Sequence, residues 1–206
     1  MAELFGGAIR APLPAGWLDA SDVRPVPDNQ EVWTEPSGGA DRSLVIELLE
    51  RADVDDDSCG EFHFTELAHG NEAAQATLRS HAWLPAELIR ARRLGETTVG
   101  CLVHGVQLLQ PDAGGSGDDR EGSPAVDLHV RLAVVRLAAH ATDMLLSVSR
   151  PCVRRDGHRG AHGTGAQKEA TAPDDDRESR ADAELLSTIL SGLTICDWGL
   201  FGEGNG

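Results

Sequence analysis

Apolar residues recur along this chain at two periods, and the change from one to the other separates strands from helices. Val126, Leu128, Val130, Leu132 and Val134 alternate with Asp127, His129, Arg131 and Ala133, the period of a half-buried strand. Met144-Leu145-Leu146-Ser147-Val148-Ser149 follows after a short connection at Ala139 to Asp143, so the two segments predict an antiparallel hairpin. Val99 to Leu109 reads as another strand, ended by Pro111, and Glu31-Val32-Trp33-Thr34 has strand composition before the turn at Pro36-Ser37-Gly38-Gly39. Helical character is expected between about Glu61 and Arg93, where Glu72-Ala73-Ala74-Gln75-Ala76-Thr77-Leu78 is rich in strong helix formers and only Pro85 interrupts. It returns late in the chain. Ser179-x-x-Asp182 predicts a helix start, and Leu185, Leu186, Ile189, Leu190 and Leu193 make one apolar stripe at helical spacing. The tail from Thr194 to Gly202 is apolar enough to pack on the body.

Ser43-Leu44-Val45-Ile46-Glu47-Leu48-Leu49-Glu50 is the ambiguous stretch. As a helix it would carry Glu47 and Glu50 on one face; as a strand it would send them to opposite faces unless it bulged or stopped between them. The preceding Gly-Gly turn, the β-branched pair Val45-Ile46 and the β character of the other strong segments select a strand. Strict alternation would bury one carboxylate, so the strand is expected to end or bulge near Leu48-Leu49, turning both glutamates toward one rim.

Ahead of it, Leu4-Phe5-Gly6-Gly7-Ala8-Ile9 sets apolar residues around a glycine pair, which can serve structure alone. Pro12 and Pro14 rule out a helix, and Asp28-Asn29 marks a turn. Two stretches bury nothing: Asp112 to Pro124, made of Gly, Asp and Ser, and 151–178, rich in Gly, His and charge. Both are expected to be mobile insertions in a single domain spanning 1–206. Short strands, a middle helical segment and a closing helix make the fold α+β, a mostly antiparallel β-sheet flanked by helices. Trp17, Trp33, Trp83 and Trp198 are expected to pack in or on the core.

Charge narrows the partners. Eighteen Lys and Arg against 34 Asp and Glu give −16, which disfavours nucleic acid and anionic membranes as partners. A basic protein surface is the natural complement, although acidity also serves solubility. Cys59, Cys101, Cys152 and Cys196 form no C-x-x-C, as expected of reduced thiols in a cytosolic or nuclear protein. The first residues lack the pattern of a signal peptide, and no apolar run approaches the ~20 residues of a membrane helix.

Enzyme motifs are missing: no G-x-S-x-G, H-E-x-x-H or G-x-x-x-x-G-K-[ST] occurs. His158 and His162 lie four apart in a solvated loop. Cys59 with His63 and Cys101 with His104 make no zinc-finger spacing, and the second pair would point to opposite faces of a strand. Calcium is the alternative with content. Asp55-x-Asp57-x-Cys59-Gly60-Glu61-x-His63-x-x-Glu66 places acids at positions 1, 3 and 12 and glycine at 6 of an EF-hand-like loop at 55–66. Against it stand a soft thiol at position 5, the absence of a second loop, and Val45-Ile46 where the incoming helix would lie.

Four ordered motifs carry a resemblance. Leu4-Phe5-Gly6-Gly7-Ala8-Ile9, Pro14-x-x-Trp17-Leu18-Asp19-Ala20-Ser21, Val26-Pro27-Asp28-Asn29-Gln30-Glu31-Val32 and Ser43 to Glu50 closely resemble the Ran guanine nucleotide release factor family. Phe62-His63-Phe64, the hairpin Leu128 to Pro151 and the closing Leu193-Thr194-Ile195 with Leu200-Phe201-Gly202 are similar to the rest of it. The resemblance implies a PsbP-like fold and a non-enzymatic, monomeric protein of nucleus and cytoplasm, without cofactor. It would bind the GTPase Ran, promote release of its guanine nucleotide and support nuclear transport. It also implies that the acidic pair of the I-[DE]-L-L-E motif, here Glu47 and Glu50, contacts Ran, with Asp28, Gln30 and Glu31 in a neighbouring signature.

Overall fold

The computed structural model describes residues 1–36, 41–86, 94, 98–110, 124–153 and 173–202. Both Gly- and His-rich stretches fall largely outside these residues, as do His158 and His162. The second is narrower than expected, because residues 151–153 end a strand and 173–178 begin a helix.

The alternating segments pair as their patterns require. The larger sheet holds β3 (Leu18–Asp19), β4 (Gln30–Thr34), β5 (Ser43–Glu50), β6 (Gln75–Trp83), β7 (Val99–Leu109), β8 (Val126–Leu137) and β9 (Thr142–Val153). Their order is β3-β4-β5-β9-β8-β7-β6, and every neighbouring pair is antiparallel. A smaller sheet joins β1 (Ala2–Leu4) and β2 (Ile9–Ala11) to β10 (Thr194–Ile195). The expected hairpin is β8–β9, with Leu137 opposite Thr142 and Val126 opposite Val153.

Each strand sends alternate residues to the two faces of the large sheet. One face carries Leu44 and Ile46 with Ala133, Val135, Met144, Leu146 and Val148. It packs on Leu186, Ile189, Leu190 and Leu193 of helix α2 (Pro173–Gly192) and on the smaller sheet. The opposite face carries Cys101, Val103, Val130, Leu132, Val134 and Leu145 beneath Cys59 and Phe64 of helix α1 (Cys59–Gly70). Gly105 on β7 lets α1 come this close: a Cβ there would stand 2.3 Å from the Phe64 ring.

Two helical expectations are corrected. Gln75 to Leu78 belongs to β6, not to a helix, because the free edge of β7 captures its backbone groups from Gln75↔Leu108 to Trp83↔Cys101, with a bulge between Leu78 and Ser80. Helix α2 begins at Pro173 rather than Ser179. Asp182, taken for a first-turn acid, is a buried partner of Arg150 at 2.9 Å, tying α2 to β9. Trp17, Trp33 and Trp198 pack against the core, but Trp83 at the end of edge strand β6 is 48% exposed.

Candidate partner-binding surface

Strand β4 stops at Gln30, directly opposite Glu47, so β5 runs on past it through Leu48, Leu49 and Glu50. The turn before β4 secures this corner: the Leu48 N–H donates to the Asn29 carbonyl at 2.9 Å, and the Asn29 amide donates back to the Leu48 carbonyl at 3.1 Å. Asp28 stands exposed on that turn.

No bulge turns the two glutamates together. Pairing with β9 continues without a break through Leu48↔Met144, Leu49↔Asp143 and Glu50↔Thr142, so Glu47 and Glu50 point to opposite faces. Neither is buried. Glu50 is exposed because the strand ends with it, and Glu47 is half-buried where its Oε1 accepts from Gln30 Nε2 at 2.7 Å. The expectation that alternation must bury one of them fails because α1 covers β6, β7 and β8 rather than the corner at β4–β5.

Glu31 plays a different part. Its side chain shares a face with Ile46 rather than with Glu47, and its carboxylate accepts the Phe5 N–H. Phe5, Gly6 and Gly7 all have positive φ, at 50°, 65° and 93°, a run that two glycines make possible. Glu31 holds that turn. Burial pushes its carboxyl above the usual range, the Phe5 N–H works the other way, and the nearby Asp19 carboxylate adds to the rise.

Beyond Glu50 the chain enters an acidic segment whose anchor the sequence patterns did not reveal. Arg136, fully buried on β8, donates through Nε to Asp143 at 3.1 Å, through Nη1 to the Val54 carbonyl and Asp56 at 2.8 Å, and through Nη2 to the Ala52 carbonyl at 2.5 Å. Asp143 also accepts the Ala52 N–H at 3.1 Å and contacts His63 Nε2 at 2.8 Å. Burial opposes the charge on Asp143, but His63, the Ala52 N–H and Arg136 together hold its carboxyl below the usual range. The one available signal was an Arg136/Asp143 pair flanking the tip of a predicted hairpin. With its backbone pinned from within, the segment leaves Asp53, Asp55 and Asp57 exposed beside Glu50.

Between Glu50 and the C-terminal 3₁₀ turn Trp198–Phe201 lies a cleft of about 570 Å³, walled by Leu48, Leu49, Ala139, His140, Leu200 and Phe201. His140 stacks on Trp198 with ring centres 4.8 Å apart. The corner thus sets a cleft of mixed polar and apolar walls beside the Glu50 carboxylate, with Arg51 and Thr142 also on its lining.

The EF-hand-like reading of 55–66 does not fit this geometry. Ser43 to Glu50 is a strand where an incoming helix is needed, and α1 already begins at the fifth loop position, Cys59. Glu66 is exposed on that helix and lies 3.4 Å from His69. Among the described residues no cluster of three or more His, Cys, Asp or Glu is placed to hold a metal ion. Cys59 and Cys101 do meet, sulfur to sulfur at 3.7 Å, but His63 turns to Asp143 and His104 lies on the other face of β7.

Comparison with known proteins decides the family. The model of the family described as "Mog1: Ran-interacting Mog1 protein" matches residues 2–151. The chain belongs to the Mog1 family. It is 35% identical to the human Ran guanine nucleotide release factor over 72% of this chain and 74% of that one. It is 29% identical to the Schizosaccharomyces pombe nuclear import protein mog1 over 98% of this chain and all of that one. The crystal structure of the Saccharomyces cerevisiae Ran-binding protein Mog1p superposes with a TM-score of 0.59 at 22% identity, covering 98% of this chain and 97% of that one. This likeness establishes a Mog1 fold, the antiparallel α+β arrangement expected. Among the described residues no helix is long and apolar enough to cross a membrane.

Proposed function

We propose that this Mog1-family chain binds Ran and promotes release of its guanine nucleotide, acting in nuclear protein transport from both nucleus and cytoplasm. The observation that carries the reading is the acidic corner on a chain 35% identical to a Ran guanine nucleotide release factor. There β5 projects Glu50 past the end of β4, beside exposed Asp53, Asp55 and Asp57. Asp28, Gln30 and Glu47 form the adjoining flank and Glu50 the lip of the cleft, while Glu31 supports the flank through the Phe5 turn.

The mechanism needs no covalent step. A partner that binds nucleotide-free Ran more tightly than loaded Ran weakens nucleotide affinity by the same factor, because the two equilibria are linked. Carboxylates at the corner suit this role, because they pair with basic side chains on the GTPase and supply negative charge as the phosphates depart. Since Glu47 and Glu50 face opposite ways, they engage different parts of the partner, which straddles the strand end. The protein acts as a monomer and a binding module rather than an enzyme.

The test is the rate of labelled-nucleotide release from loaded Ran, with and without the purified chain. Acceleration that rises with concentration and saturates supports the reading. An unchanged release rate, together with no complex formed with nucleotide-free Ran, overturns it.

A further inference from the structure

On the opposite side of the molecule from the corner, α2 packs over β8, β9 and β2, while β6 and β7 carry the sheet on beyond the helix. The space left over is a cavity of about 460 Å³, lined by Leu84, Leu102, Leu186, Leu190, Ser187 and Arg131. That volume lies within the range of small-molecule sites, which combine mostly apolar walls with a few placed polar groups.

The polar group here is incompletely used. Arg131 Nη2 donates to the Ser179 hydroxyl at 2.7 Å, but its Nε is buried without a hydrogen-bond partner, and Arg131 makes no ion pair among the described residues. Burial makes its charge costly, lowering its pKa, with Asp182 opposing and Arg150 reinforcing the effect. Asp182, the nearby carboxylate, is engaged by Arg150 at 2.9 Å and Arg42 at 3.6 Å. Arg42 is itself paired with Glu35 at 2.5 Å, so Arg131 is left as the lining guanidinium without an ion pair among the described residues. A half-buried guanidinium without a carboxylate partner, on the wall of a leucine-lined cavity, is complementary to a monoanion carrying an apolar chain. A cation would be repelled by Arg131, and a free phosphate would leave the leucines unfilled.

We propose that this cavity binds a medium-chain acyl carboxylate, its carboxylate on Arg131 and its chain along Leu84, Leu102, Leu186 and Leu190. The site is separate from the acidic corner, and its test does not involve Ran. Calorimetric titration of the whole chain with decanoate, below its micelle concentration, is expected to show saturable binding at one site and a raised melting temperature. Acetate and decyltrimethylammonium are expected to do neither. Arg131→Gln should weaken decanoate by at least about tenfold, as loss of a charged hydrogen bond requires, with Arg131→Lys falling between. Ser187 is exposed on α2, so Ser187→Trp blocks the cavity without disturbing the core and should abolish binding even if Arg131→Gln does not fold. Absent or non-saturating binding, equal binding of the cationic chain, or decanoate affinity unchanged in Ser187→Trp overturns the assignment.

Discussion

Two groups of charges lie within a few residues of one another at the end of β5, and they are used in opposite ways. Arg136, Asp143 and His63 are buried and saturated with partners. Glu50, Asp53, Asp55 and Asp57 are exposed on the segment those buried groups hold. The contrast shows that location and partners, rather than residue type, decide what a carboxylate does. The buried ensemble uses its charge to fix backbone, and the outer one carries its charge exposed on backbone that is already fixed.

The sharpest way to break the comparison is Asp143→Ala, which takes the buried carboxylate from Arg136, His63 and the Ala52 N–H at once. It is expected to cost about 3–5 kcal/mol in urea unfolding, and Arg136→Met with Asp143→Leu should not recover it, because the Ala52 and Val54 carbonyls and Asp56 then lose their donor. A loss below about 1 kcal/mol would mean that the buried group is not the anchor described. The outer acids should behave in the reverse manner. Glu50→Ala should shift stability by less than about 0.5 kcal/mol yet weaken Ran binding by ~0.2–1 kcal/mol, and Glu50→Lys by more, since a rim charge is worth little alone and repulsion adds to its loss. Equal affinity of wild type and Glu50→Lys in direct titration would remove Glu50 from the interface.

Acid titration separates the two classes again. Asp143 has a lowered folded pKa, so its contribution is present above the ordinary value of 3.8 and is lost as pH falls through the lower folded value. Wild-type stability should therefore decline below about pH 4, with a shallower slope in the Arg136→Met, Asp143→Leu protein. Glu31 carries the opposite sign. Its pKa is raised above 4.5, so its contribution is complete below that value and fades as pH rises through the higher folded value. Glu31→Gln should flatten that part of the profile, the smallest effect of the set, readable in melting temperatures between about pH 4 and 7.

Much of this was legible in the sequence wherever one period dominated. The alternation from Val126 to Val134 specified β8 and its hairpin, and the leucine stripe specified the buried face of α2. Gln75 to Leu78 was not legible, because its local preference is helical and only the unpaired edge of β7 makes it a strand. The glutamates of β5 were half legible: the strand and its exposed end followed from composition. Their separation onto two faces depended on where β4 stops and what α1 leaves uncovered. The Arg136 ensemble was hidden because its acceptors are mostly backbone carbonyls, which every residue has.

The three-stranded sheet has a bearing on how the molecule is made. β2 pairs with β1 beside it in the chain but also with β10, Ile9 opposite Ile195. Leu4 and Ile9 share their core with Leu193 and Ile195. During synthesis the strands β1 and β2 must therefore wait, their apolar residues unsatisfied, until α2 and β10 have also been made. Pairings so distant in sequence close slowly, and the waiting segments are open to misassembly. Closure of the smaller sheet should thus be a late step, one that joins β1 and β2 to β10 across most of the described fold.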